Sequence, residues 1–241
     1  MRAEARHQLK QDRFSKATLE AAEATVHWSQ EHQSKLVAAG IVIVVIAALL
    51  GGGWYYIGSQ DEKASFDLAN AVSTLEAQLR PPGTPPQPGV QSYESTGERA
   101  TAARKQFQAI ADKYSQTQSG KMARYFVGVT SAQLGDNATA ERNLQRTADS
   151  SNSQLASLGK FALASVYRAE KKDAQAIDLY KQLIDKPTEM VSKVAAQLAL
   201  ASLYESEPKP DEARKIYQQI QKENPASQAF SIAQRKLADL K

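Results

Sequence analysis

From Leu36 to Gly58 the chain runs for 23 residues (LVAAGIVIVVIAALLGGGWYYIG) without one charge. At about 1.5 Å per residue a helix of that length crosses a hydrocarbon layer roughly 30 Å thick. The pattern predicts a transmembrane helix over 36–58. In it Leu36, Ile41, Val45 and Leu50 meet lipid tails, and Trp54, Tyr55 and Tyr56 meet the headgroup layer, where rings with an apolar body and a polar tip are favoured. A cleaved secretory signal would need a short basic lead and an apolar stretch of only about 7–15 residues. Here 35 mostly polar residues precede a longer run, so an uncleaved anchor fits better. Lys16 and Lys35 lie before the span and Lys63 after it, which leans towards a cytoplasmic N-terminus.

On either side of the span the pattern changes. Residues 1–35 mix both signs of charge, and Leu9, Phe14, Leu19, Val26 and Trp28 keep no clean helical period, so this stretch is a polar head and not a domain. Beyond the span, 59–97 predicts a helix opening at Asp61-Glu62 and running to about Arg80. A loop then holds five prolines between Pro81 and Pro88, which remove backbone donors and stop the helix. The remainder, 98–241, is a single patterned domain.

That domain repeats itself. Ala103, Ala140, Ala176 and Ala213 recur at steps of 37, 36 and 37 residues, and four residues after each stands Phe107, Leu144, Tyr180 or Tyr217. Ile110, Leu183 and Ile220 add a third apolar position, which Thr147 interrupts. Twelve residues before three of the alanines come Gly128, Ala164 and Ala201, followed three residues on by Ser131, Tyr167 and Tyr204. Gly135, Lys171 and Pro208 fall in the turns. Small residues let paired helices approach while the large neighbour fills the adjacent space. A hairpin cannot bury its faces alone, so several must stack. Counting the helix after the span as half of an opening hairpin gives about four units and a terminal helix near 226–240.

These positions resemble the tetratricopeptide repeat, with prolines near the unit ends at Asp185-Lys186-Pro187 and Glu223-Asn224-Pro225. The fold class expected is all-α: an N-terminal transmembrane helix and a tetratricopeptide-like helical-hairpin solenoid. The steps are longer than the usual 34 residues, and Ser131 stands where an aromatic is common. If the repeat's register carries over, the inner groove is lined by Met122, Tyr125, Val129, Leu158, Phe161, Arg168, Leu198 and Ser202. The same residues could equally pack against a neighbouring helix. The whole layout of short polar head, one anchor and tetratricopeptide-like domain resembles the bacterial ancillary Sec translocon subunit family. That resemblance implies a bacterial inner membrane location, a cytoplasmic N-terminus, a periplasmic C-terminal domain, and association with the Sec translocon, periplasmic chaperones or unfolded clients.

Composition narrows the chemistry. With 42% apolar and 23% charged residues the chain folds, and Ala, Leu, Gln, Lys and Glu favour helix over strand, so essentially no strand is expected. Thirty basic against 26 acidic residues form no long block, which argues against nucleic acid as a partner. No cysteine exists and no histidine follows His32. His27 and His32 are five apart, the wrong spacing for one helical face, so no metal site is expected. No phosphate loop or catalytic constellation is present, so neither an enzyme nor a cofactor is expected. Asn137-Ala138-Thr139 matches a glycosylation acceptor, but Asn137 fits better as a turn residue before a helix. The expected function is a membrane-tethered module that recruits or holds exported polypeptides; the alternative is a structural subunit of a larger membrane complex.

Overall fold

The computed structural model describes residues 33–207 and 209–240, with side chains from Val42 onward. The polar head up to residue 32, its three histidines and the turn residue Pro208 lie outside the described residues. Two compact units divide the chain, Met1–Tyr56 and Ile57–Lys241.

The described part of the first unit is the apolar portion of helix α1 (Gln33–Glu76). The helix passes through Gly51, Gly52 and Gly53 without a break, and among the described residues no other group stands within 4 Å of where their side chains would begin. Val45, Leu50, Trp54 and Tyr55 are exposed, Trp54 to 82%, as a helix designed for lipid would be in water. From Val42 the helix is long and apolar enough to cross a membrane.

The boundary expected at Asp61 is not there. Gly58-Ser59-Gln60 stays helical, so Asp61 and Glu62 lie inside α1 and do not open a second helix, and α1 ends at Glu76, four residues before Arg80. Strand among the described residues is confined to one short pair in this otherwise all-α chain. Two short strands, β1 (Gln78–Leu79) and β2 (Ser92–Tyr93), pair in parallel across the proline-rich loop. Arg80 explains them: its amide donates to Tyr93 O at 2.8 Å, Nη1 to Ser92 O at 2.6 Å, Nε to Thr84 O at 2.9 Å, and Nη2 meets Glu94 at 3.1 Å. One residue thus supplies four donors, three of them from its side chain, to a segment whose prolines remove donors.

The second unit then winds through α2 (Thr96–Lys113), α3 (Gln118–Gln133), α4 (Asn137–Ala148), α5 (Ser153–Ala169), α6 (Asp173–Asp185), α7 (Lys193–Ser206), α8 (Pro210–Glu223) and α9 (Gln228–Asp239). Each helix from α2 packs against the next, and α3 also meets α5. Capping side chains fix most starts: Ser95, Thr117, Asn152, Ser192 and Ser227 each accept from an amide in the first turn. At α4 the cap is Asp136, which accepts from the Thr139 amide; Asn137 is the first helical residue and not the cap. Gly135 and Lys171 both take left-handed backbone (φ 77° and 62°), and in each case the next amide reaches back five residues, Asp136 to Ser131 O and Lys172 to Tyr167 O.

Two core clusters result. The smaller joins Ala64 and Ala71 of α1 to Phe107 and Ile110 of α2, the α2 cap residue Tyr114, and Ala123 and Val127 of α3. Within it the Tyr114 hydroxyl donates to Asp67 at 3.1 Å and the Thr74 hydroxyl to Gln106 at 3.1 Å. The larger cluster runs from Ala140 and Leu144 through Ala164, Tyr180, Ala201 and Tyr217 to Ala233. Phe107 and Leu144 have no exposed surface, and burying a side chain of that size stabilises by about 1.5–3 kcal/mol. The alanines that set the repeat, Ala103, Ala140, Ala176 and Ala213, are all fully buried.

Candidate interaction groove

The eight groove positions lie on the three first helices of successive hairpins. Met122, Tyr125 and Val129 are on α3, Leu158, Phe161 and Arg168 on α5, and Leu198 and Ser202 on α7. All eight are partly buried. This is the state expected of side chains rooted in a core with one flank open to solvent.

Their contacts divide them. Tyr125, Val129, Leu158, Phe161 and Leu198 pack against the larger core cluster. Phe161 meets the Tyr180 ring edge-on at 5.7 Å, so much of its surface is spent inside its own hairpin. Tyr125 stands edge-on to Phe126 at 5.4 Å, and Phe126 stacks on Phe107 at 4.8 Å, linking the α3 face to the first hairpin. Burial pushes the Tyr125 phenol above its ordinary range.

Arg168 and Ser202 are brought together. Arg168 Nη2 donates to Ser202 O at 3.3 Å, tying α5 to α7 across the face. Beside that contact opens a cavity of about 470 Å³, lined by Ser165, Arg168, Ala169, Lys171, Asp173 and Ser206. The repeat register that supplied Arg168 left out Asp173 and Ser206, which stand at a helix start and a helix end, and the repeat gave Lys171 only as a turn residue. Ser131, in place of the common aromatic, is fully buried with no partner for its hydroxyl, so it belongs to the core and not to the groove.

The arrangement offers apolar and aromatic patches along α3, α5 and α7, with polar groups at the α5–α7 end. Among the described residues no cluster of three or more metal-ligating side chains is found. Stacked hairpins built on buried alanines define a helical-repeat interaction protein. The tetratricopeptide repeat-like domain family matches residues 26–241, and the chain belongs to that family. No curated protein and no solved structure matches it.

Proposed function

We propose that this protein is a non-enzymatic, membrane-tethered recruiter that holds exported polypeptides beside the Sec translocon of the bacterial inner membrane. In this reading residues 1–35 form the cytoplasmic head, 36–58 the anchor, 59–97 the connecting helix and loop, and 98–241 the periplasmic repeat domain. The observation that carries it is the partly buried apolar face of Tyr125, Val129, Leu158, Phe161 and Leu198 on a chain that also has a helix apolar enough to cross a membrane.

A groove of this kind suits extended or partly unfolded segments, because apolar side chains of a client replace water along its length. Weak contacts suffice. Tethering confines groove and client to one surface, so the effective concentration is high without a tight site. Periplasmic chaperones and translocon subunits are the partners this reading supplies.

The test is binding of a permanently unfolded secreted protein to the full chain in lipid nanodiscs, followed by fluorescence anisotropy. Leu158→Asp with Leu198→Asp should weaken binding by at least about tenfold, since burying a charge in an apolar contact is unfavourable. Equal binding by the variant, with unchanged helicity, would remove the groove from the account. Binding only to one folded partner in fixed stoichiometry would favour a structural subunit instead.

A further inference from the structure

A second cavity, of about 170 Å³, lies between the start of α3, the end of α4 and the α4–α5 turn, and it is lined by Lys121, Arg124, Arg146, Thr147, Ser150 and Ser151. That is several times the roughly 30 Å³ a single water occupies. No ion pair or hydrogen bond among the described residues engages the side chains of Lys121, Arg124 or Arg146, although nine ion pairs form elsewhere. Three cations therefore converge on one opening without a counter-charge.

Helix stability accounts for only one of them. Arg146 lies in the last turn of α4, where a cation is favoured. Lys121 lies at the start of α3, where an acid is favoured and none is present. Helix α5, which also starts at this opening, has no acid in its first turn either, an absence it shares with α4, α7 and α9. Both helix starts add to the positive field of the side chains.

The position of the cavity in the chain decides what fills it. The Ser119 amide donates to Asp61 Oδ1 at 2.8 Å. Asp61 follows Gly58, the last residue of the uncharged run, by three residues, or about 5 Å of helix. Lys121 is two residues beyond Ser119. The opening is thus fastened to the first turn of α1 that leaves the apolar segment.

We propose that the Lys121–Arg124–Arg146 cavity binds the phosphate of an anionic lipid headgroup in the leaflet from which α1 emerges. Arg124 and Arg146 offer planar pairs of donors to phosphate oxygens, Lys121 a third cation, and the Ser150–Ser151 turn closes the rim. Headgroup binding would hold the repeat domain against the bilayer in one orientation. The proposal rests on the membrane reading of the apolar run.

The experiment uses the full chain in nanodiscs. The protein has no cysteine, so Gln145→Cys, exposed and adjacent to Arg146, places a single donor dye beside the cavity. Energy transfer to an acceptor on lipid headgroups is compared between discs of phosphatidylcholine and discs containing phosphatidylglycerol. Transfer should be higher with phosphatidylglycerol and fall with added salt. K121Q, R124Q and R146Q should each reduce the docked-to-undocked ratio by roughly fivefold. K121R should retain docking, and R124K and R146K should retain more of it than R124Q and R146Q, which separates loss of charge from loss of fold. Equal transfer in the two lipids, or no change in the glutamine variants, would overturn the proposal. So would loss of the signal to soluble glycerol phosphate or polyglutamate at concentrations matched to the lipid phosphate, since either result assigns the cavity to a soluble anion or an acidic chain. Failure of the protein to remain with the discs would overturn the membrane reading itself.

Discussion

Leu144 occupies the space that a side chain on Gly128 would need: a Cβ there would stand 2.5 Å from Leu144 Cγ and 2.7 Å from Cδ2. Both residues are buried, and Leu144 is rooted in the larger core, so it cannot swing clear. Gly128→Ala should cost about 1–3 kcal/mol through overpacking. Leu144→Ala alone should cost about 2–5 kcal/mol through the cavity it leaves. Because the two share one space, the double variant should cost less than the sum, which urea unfolding of the full chain in micelles would measure.

Lys171 takes the same left-handed backbone as Gly135 at the equivalent turn, and there a side chain is a liability. Lys171 is exposed, so its removal loses little packing. Lys171→Gly should raise stability by about 0.5–1 kcal/mol, the strain relieved being partly offset by a floppier unfolded chain. Lys171→Val should lower it. Thermal unfolding of the two variants side by side checks the order.

Arg80 holds the proline-rich loop through its contacts with Ser92, Thr84 and Glu94. Arg80→Ala should release the 81–91 segment while leaving the stacked hairpins folded. Limited proteolysis should then cut the variant in this segment well before the parent, and far-ultraviolet circular dichroism should stay unchanged. A parent cut equally fast there would contradict the role given to Arg80.

The Asp136 carboxylate is held below its ordinary range, first by the Thr139 amide and further by Arg104 at 3.1 Å. A carboxyl group whose folded value is depressed contributes stability that is present above about pH 3.9 and is lost as the pH falls through the folded value. The melting-temperature gap between the parent and Asp136→Ala should therefore be widest near neutrality and shrink in acid. A gap that grows as the pH falls would reverse the assignment.

The alanine spacing made the hairpins legible because packing of paired helices demands small residues at fixed places, and Ala103, Ala140, Ala176 and Ala213 are all fully buried there. The continuity of α1 was hidden for a physical reason. Asp61 and Glu62 resemble the acidic first turn of a helix, yet the Asp61 carboxylate instead receives the Ser119 amide, a partner 58 residues away in sequence. The β1–β2 pairing was equally out of reach, since it depends on where Arg80 bends. In the groove, Phe161 shows the limit of a pattern of packing positions: its ring serves Tyr180 and the open face together. Lys121, Arg124 and Arg146 look like ordinary solvated charges in the sequence, and only the fold of α3 against α4 brings them to one cavity.

The central claim, that the face of α3, α5 and α7 receives exported chains, is tested most directly by photocrosslinking in living cells from positions Tyr125, Phe161 and Leu198. The account predicts capture of many nascent secreted polypeptides, together with export chaperones and translocon subunits. Capture of one stoichiometric partner unrelated to export would contradict it and assign the protein to a dedicated membrane complex.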